Sequence, residues 1–178
     1  MAHIDLGDAA EPGIRGLLRY RPPTGRALMR LADALLRGES SLTPGERELI
    51  AAYVSALNDC VFCRLSHSAA AAAQLPGGRA LVDAVLDDPE TAPIPARTRA
   101  LLRVAAAARE DGHAVTAELV AGARAEGATD LEVHDTVLIA AAFSMFNRYV
   151  DGLGTAAPDD PAAYLPGAER IARQGYSG

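Results

Sequence analysis

Two capping-box sequences constrain the fold of this chain more than any other feature. Thr43-Pro44-Gly45-Glu46 and Thr129-Asp130-Leu131-Glu132 each place a threonine three residues before a glutamate, so the two residues can satisfy each other's backbone N–H groups at a helix start. An alanine-rich apolar stretch follows each box, and hydrophobic residues make up 49% of a chain that contains no tryptophan. This composition favours closely packed helices over aromatic-rich sheets, so we predict an all-α helical bundle.

The spacing of apolar and helix-breaking residues predicts a single helical domain spanning residues 1–178. We expect its core within residues 24–154 and a less ordered or peripheral tail over residues 155–178, which is rich in proline. The Pro22-Pro23 pair is interpreted as the end of a first amphipathic stretch. The predicted helices cover residues 13–22, 26–36, 44–58, 60–73, 79–86, 96–110, 116–125, 129 to 152 or 154, and 167–173.

Charge and hydropathy exclude two classes of partner. The net charge of −6 and the scattered arginines provide no basic patch that could follow a nucleic-acid backbone. The longest apolar stretch, residues 137–146, is about half the length needed to cross a bilayer. The first residues lack a basic start followed by an apolar run, so a cytoplasmic, reducing location is the expectation.

The sequence Cys60-Val61-Phe62-Cys63 is the strongest indication of chemistry. It contains the only two cysteines of the chain, and their spacing allows a small disulfide ring to open and close. If residues 60–73 are helical, the two sulfurs and the imidazole of His67 project from one face. Asp59 is the predicted N-cap, which would bring Cys60 to the first helical position and both thiols to the positive end of the helix dipole, where thiol pKa values fall.

Glu48 is predicted to reach the same site from the preceding helix. In a helical hairpin with a tight connection near Asp59, Glu48 lies about 16 Å along one axis and His67 about 12 Å along the other, at roughly 1.5 Å per residue. Glu48 also begins a strip of small residues that would allow a close helix approach, namely Ala52, Ser55 and Ala56. Glu48 and His67 could then exchange a proton with a cysteine.

Purely structural roles also fit these residues, and so does a metal site. A glutamate near a helix start can serve only the helix dipole, a helical histidine can be a satisfied surface or core residue, and two cysteines can be small core residues. Cys60, Cys63, His67 and Glu48 could also bind zinc, but a closed structural site normally takes ligands from two separate knuckles. The sequence alone leaves these alternatives open.

Polar residues elsewhere in the chain give weaker signals. The remaining histidines lie at the terminus or near helix ends and are expected to be solvated: His3, His113 and His134. Asn147-Arg148 is polar within an apolar helix and suggests a buried network or an oligomer contact.

The pattern of Glu48, Cys60-Val61-Phe62-Cys63 and His67, preceded by the lead-in from Leu42 to Ile50, resembles the alkylhydroperoxidase D-like branch of the carboxymuconolactone decarboxylase superfamily. The match to its Glu, Cys-X-X-Cys, His signature holds in every spacing. The general residue pattern over the helical body looks most like that of the peroxidase-related members. The resemblance implies an all-helical fold that assembles as a homo-oligomer, often a trimer or hexamer. It also implies reduction of alkyl hydroperoxides or hydrogen peroxide without a metal or bound cofactor.

By this resemblance Cys63 is the peroxidatic thiol and Cys60 resolves its sulfenic acid as a redox-active disulfide. Glu48 and His67 would relay the proton through water, and a dithiol protein, lipoyl-bearing or thioredoxin-like, would reduce the disulfide. The helix dipole alone would instead make Cys60 the attacking thiolate. We follow the resemblance, since a base four residues away can activate Cys63 directly.

One position departs from the resemblance, and two other functions compete with the peroxidase. Well-studied members carry a histidine immediately before the second cysteine, and Phe62 stands there in this chain. A decarboxylase or lactone-processing enzyme on the same fold is the first competitor, although its chemistry does not require two cysteines. The second is a non-catalytic redox-sensing or metal-binding oligomeric module.

Overall fold

The predicted all-α bundle is confirmed. In a computed structural model, residues 2–176 are described, and they form nine α-helices with no strand among them. The helices are α1 (Ile14–Tyr20), α2 (Pro22–Arg37), α3 (Pro44–Leu57), α4 (Val61–Ala72), α5 (Gly78–Asp87), α6 (Ala96–Glu110), α7 (Ala117–Ala125), α8 (Asp130–Gly152) and α9 (Leu165–Gln174). Short 3-10 turns occupy Gly7–Ala9, Gly112–Ala114 and Pro161–Tyr164.

Both capping boxes form as predicted. The Thr43 hydroxyl accepts a hydrogen bond from the Glu46 backbone N–H at 3.2 Å, and the Glu46 carboxylate accepts one from the Thr43 N–H at 2.8 Å. Thr129 and Glu132 repeat the arrangement at the start of α8 with distances of 3.2 and 2.9 Å. Each box fixes the first turn of a long helix, and α3 is one of the two helices that carry the site described below.

The interpretation of Pro22-Pro23 as a terminator was incomplete. The first helix does end before the pair, at Tyr20, but α2 begins at Pro22 itself rather than at the predicted Arg26. Proline lacks an N–H and has a fixed φ, and both properties suit the first helical turn, where backbone N–H groups have no intrahelical partner. The earlier start lengthens α2 by about one turn.

The helices pack around a hairpin formed by α3 and α4, which make the most extensive contact in the molecule. Helix α8 lies across α3 and α6, while α9 packs on α4. The main core is fully enclosed around side chains such as Leu49, Leu101, Ile139 and Phe143. Burying each such side chain contributes about 1.5–3 kcal/mol relative to leaving it in water.

A second, smaller apolar cluster joins α4 to the C-terminal segment. It contains both cysteines together with Phe62, Val150, Tyr164 and Ala168. The tail that was expected to be peripheral therefore contributes helix α9 and a buried tyrosine to the surroundings of the cysteines. Among residues 2–176, no helix is both long and apolar enough to span a membrane.

Candidate active site

The turn between α3 and α4 sets the position of the two cysteines. Asp59 adopts a left-handed backbone with φ of 55°, and the Cys60 N–H donates to the Ser55 carbonyl at 3.0 Å. The prediction that Asp59 is the N-cap was wrong: Cys60 is the N-cap, with φ −80° and ψ 96°, and the helix begins at Val61. Because the left-handed residue closes the end of α3, the next helix starts one residue later. Cys63 is the third residue of α4 and lies within the first turn, where the effect of the helix dipole is strongest.

The two thiols are buried, unoxidised and unequal. Cys60 is fully buried and Cys63 is 3% exposed, and neither forms a disulfide. A hydrogen bond from the Cys60 thiol, followed by the charge of His67 and a hydrogen bond from Asn147, lowers the pKa of Cys63 in spite of its burial. The same hydrogen bond and burial raise the pKa of Cys60. The first proton lost from the pair therefore leaves a thiolate on Cys63 and a thiol on Cys60.

Glu48 and His67 meet as the count of helical rise predicts. The side chain of Glu48 is fully buried, and its Oε2 lies 2.7 Å from Nδ1 of His67. The imidazole is held in place by Phe143, whose ring meets it edge-on with centroids 4.5 Å apart. Its Nε2 makes no hydrogen bond within the described part of the chain. Since Cys63 and His67 are one turn apart on α4 and line one pocket, Nε2 is the ring nitrogen available to the thiol side of the site.

Two residues at this site had no recognisable signal in the sequence. Arg37, in the last turn of α2, donates from Nη2 to Oε1 of Glu48 at 2.6 Å. Tyr176, beyond the end of α9, donates its hydroxyl to the same carboxylate, with 2.9 Å to Oε1 and 3.1 Å to Oε2. Both come from segments remote in sequence from the motif, so only the packing of α2 and of the tail brings them there.

A small, mostly apolar cavity lies beside Cys63 and His67. About 50 Å³ of free space is enclosed by Cys63, His67 and mostly apolar side chains from α1, α2, α4 and α8, among them Ile14, Met29 and Phe146. A second cavity of about 100 Å³ adjoins it towards α9 and shares Phe62, His67 and Tyr176 as walls. Since one water needs roughly 10–15 Å³ of such space, the first cavity has room for a few waters or a peroxide group.

Phe62 has an apolar role where the resemblance has a histidine. Its side chain is 6% exposed and meets the ring of Tyr164 edge-on at 5.6 Å. A Cβ atom on Gly13 would lie 2.2 Å from the Phe62 ring, so glycine is required for this contact. Phe62 is a wall of the cavity and carries no proton.

Asn147 belongs to a buried network, one of the two roles suggested for it. Its Oδ1 accepts from Asn58 at 2.8 Å and its Nδ2 donates to Ser55 at 3.1 Å, while Arg148 is exposed. These bonds orient the amide that lowers the pKa of Cys63.

The remaining candidates do not contribute to the site. His3, His113 and His134 are exposed, as expected. Within residues 2–176, no three His, Cys, Asp or Glu side chains are grouped so that they could hold a metal ion. The four side chains considered as zinc ligands thus form a thiol pair and a separate Glu–His pair rather than a common donor set.

Comparisons with known proteins agree with this fold and motif. Residues 22–75 match the sequence model of the Carboxymuconolactone decarboxylase family. An uncharacterized peroxidase-related protein from Ralstonia eutropha JMP134, described as an alkylhydroperoxidase AhpD core, superposes with a TM-score of 0.79 and 26% identity over 92% of this chain and 94% of its own. A second uncharacterized peroxidase-related protein, from Silicibacter sp. TM1040, has a TM-score of 0.77 and 27% identity over 86% and 78% of the two chains. No curated protein sequence matches the chain significantly. The resemblance identified from the motif is confirmed.

Proposed function

We propose that this chain, which has the alkylhydroperoxidase D-like fold of the carboxymuconolactone decarboxylase superfamily, is a thiol-dependent peroxidase acting on alkyl hydroperoxides or hydrogen peroxide. One observation carries the proposal. Cys63, whose pKa is lowered, lies beside a free thiol and one helical turn from His67, whose other ring nitrogen is held by the buried Glu48. A nucleophile, a base and a group orienting the base are the parts that activated thiols require.

In the first step, Nε2 of His67 takes the proton of Cys63, and the thiolate attacks the terminal oxygen of the hydroperoxide R–O–OH. The O–O bond breaks, a Cys63 sulfenic acid forms, and R–O⁻ leaves as the alcohol after taking up the proton from His67. Sulfur loses two electrons and the peroxide gains two. Glu48, which His67 contacts at 2.7 Å, stabilises the imidazolium that exists between the two proton transfers.

In the second step, the Cys60 thiol attacks the sulfenic sulfur. The S–S bond forms and the hydroxyl leaves as water with the Cys60 proton. The raised pKa of Cys60 keeps it protonated until the sulfenic acid is present, so it does not compete for peroxide. An external dithiol protein, lipoyl-bearing or thioredoxin-like, then supplies the two electrons that regenerate both thiols. A reducing cytoplasmic location would maintain this reductant.

The test is peroxide consumption by the pre-reduced protein. We expect two thiols lost per chain in the first turnover and continued turnover with a dithiol reductant. Cys63→Ser should abolish consumption, whereas Cys60→Ser should consume one equivalent and stop at the sulfenic acid, detected with a dimedone probe. Full activity of Cys63→Ser would refute the mechanism.

A second candidate is favoured by the family match over residues 22–75: a decarboxylase or lactone-processing enzyme. This activity needs no cysteine. Decarboxylation of carboxymuconolactone that persists in a Cys60→Ser, Cys63→Ser double variant, with no peroxide consumption by the wild type, would favour it. A redox sensor would instead form the disulfide without turnover, and stoichiometric zinc in elemental analysis would indicate a metal-binding module.

Homo-oligomerisation, as a trimer or hexamer, is part of the same proposal. Leu131, Leu138 and Met145 follow one another at seven-residue intervals on α8, and each is at least 40% exposed. Residues at this spacing share one helix face and would be covered in a helix–helix contact. Light scattering should give a mass above the monomer's 18.5 kDa, and Leu138→Glu should reduce it.

A further inference from the structure

The C-terminal residues after α9 are held in a specific position. The Tyr176 backbone N–H donates to Oδ1 of Asp33, on α2, at 2.8 Å. Gly175 has φ of 73°, and a Cβ at this position would lie 2.8 Å from the same oxygen. The backbone therefore turns left-handed against Asp33, which only glycine does without strain, and this turn directs Tyr176 inward.

The side chain of Tyr176 contacts every polar member of the Glu48 cluster, which consists of Glu48, His67 and Arg37. Its hydroxyl lies 2.9 and 3.1 Å from the two oxygens of Glu48 and 3.3 Å from Nδ1 of His67. The ring stacks on the imidazole with centroids 6.2 Å apart and planes inclined by 21°. The guanidinium of Arg37 lies 5.6 Å from the centre of the same ring.

These contacts determine where the protons are. Arg37 can only donate, and burial, together with the charge of Glu48, raises the pKa of Tyr176 well above its usual value, so its hydroxyl keeps its proton and also donates. The Glu48 carboxylate therefore acts as an acceptor toward both of these neighbours. An ionised carboxylate 2.7 Å from Nδ1 of His67 requires that Nδ1 carry the hydrogen, which leaves the lone pair on Nε2.

We infer that Tyr176 is a positioning residue, supplied by the C-terminal segment, whose hydroxyl donates to Glu48, keeps this carboxylate an acceptor toward Nδ1 of His67, and thereby keeps His67 in the tautomer with a free Nε2. The inference rests on the proposed function and deepens it, because a base at Nε2 is what activation of Cys63 needs. Tyr176 lines the same cavity as Cys63, but its hydroxyl is bonded to Glu48 and lies against Nδ1 of His67, so it acts on the base rather than on the thiol.

Other charged or ionisable groups also interact with the residues of the Glu48 cluster. Arg47 interacts with Glu48 along α3, and Arg170 on α9 acts on Tyr176. Cys63 faces His67 from the preceding turn of α4. Helix α8 contributes only the apolar ring of Phe143 against the imidazole. Tyr176 is thus the one neutral hydroxyl among the cluster's described contacts, and it can be removed without changing any charge.

The experiment compares Tyr176→Phe with the full-length wild type by NMR of ¹⁵N-labelled imidazoles across pH. The variant retains the ring that stacks on His67 and loses only the donor. We expect the wild-type ¹⁵N shifts of His67 to report hydrogen on Nδ1 and a bare Nε2. In the variant the ratio of this tautomer to the other should fall by about tenfold, as loss of a hydrogen bond to a charged group predicts. Peroxide consumption should fall by a similar factor, because less of the protein then has a free Nε2.

Controls are available within the chain. Tyr53→Phe removes a half-buried hydroxyl on the same helix as Glu48 that faces the charges of Glu90 and Asp88, and it should leave His67 unchanged. The exposed histidines serve as internal references in every sample: His3, His113 and His134.

An unchanged His67 tautomer ratio in Tyr176→Phe would overturn the inference, as would an equal change in the reference histidines. If the variant does not fold, a measurement on the wild type tests the inference instead. The absence of a nuclear Overhauser effect between the Tyr176 and His67 rings would refute the position of Tyr176 beside His67. If the change in the His67 tautomer ratio is observed but the wild type consumes no peroxide, the peroxidase proposal fails and the positioning role of Tyr176 stands.

Discussion

Replacing Glu48 with glutamine should lower the free energy of unfolding far more than neutralising a surface carboxylate does. The side chain is fully buried and accepts hydrogen bonds from Arg37, His67 and Tyr176. Glu48→Gln keeps the shape, so no cavity forms, but the new amide nitrogen faces donors and Arg37 loses its counter-charge. Removing one partner of a buried ion pair costs about 3–5 kcal/mol. Because the Arg37 side chain is 15% exposed and retains some water, we expect the lower end, about 3 kcal/mol.

The assay is urea unfolding of the reduced protein at fixed protein concentration, followed by circular dichroism. Glu90→Gln is the matched control, since its ion pair with Arg103 has side chains 48% and 52% exposed and should contribute little. Peroxide consumption by Glu48→Gln should also fall by about 10²–10⁴, the range for loss of a general acid–base group. A stability loss no larger than that of Glu90→Gln would show that the Glu48 cluster is not a coupled ion pair.

Four further outcomes are expected. Iodoacetamide should modify Cys63 before Cys60 in peptide mapping below about pH 9, because the Cys60 hydrogen bond and then His67 lower the pKa of Cys63 while the pKa of Cys60 is raised. A thiol whose pKa is lowered on folding stabilises the protein above its unfolded pKa, and this stabilisation is lost as the pH falls through its folded pKa. The free energy of unfolding of the reduced wild type should therefore increase with pH up to about pH 9, and that of Cys63→Ser should not. Phe62→Ala should cost about 3–5 kcal/mol in urea unfolding, whereas the exposed neighbour in Val61→Ala should change it by less than about 0.5 kcal/mol. Asn147→Ala should cost about 2 kcal/mol in urea unfolding, because it leaves the buried Ser55 hydroxyl without its partner and removes one of the partners of Asn58. It should also slow alkylation of Cys63, because it removes an amide that lowers the pKa of this thiol; equal alkylation rates would contradict this role.

Helix boundaries were predictable where local chemistry decides them. The capping boxes at Thr43 and Thr129 located the starts of α3 and α8, because a box is completed within four residues. Pro22 was misassigned since a proline fits both the end of one helix and the first turn of the next. Asp59 was misassigned for a related reason: an aspartate can cap a helix or adopt a left-handed turn, and the closure of α3 selects the second.

The site was predictable to the extent that it lies on one hairpin. Cys63 and His67 are related by the helix repeat, and a short connection brings Glu48 to their depth, so their juxtaposition follows from counting residues. Arg37 and Tyr176 reach the carboxylate through the packing of α2 and of the C-terminal segment, which no local pattern encodes. Their contribution follows only from the tertiary packing of these segments.

The two capping boxes are also tied to each other. Arg97, at the start of α6, donates to the Glu46 carboxylate with one nitrogen and to the Glu132 carboxylate with another. Two helix starts that look independent in the sequence therefore share one guanidinium. Fraying at Thr43 and fraying at Thr129 should therefore be energetically coupled. In a double-mutant cycle, the losses of unfolding free energy from replacing the two threonines should not be additive. In an Arg97→Ala background they should become additive. The first turn of α3, which immediately precedes Glu48, is in this way stabilised by helices that follow it much later in the chain.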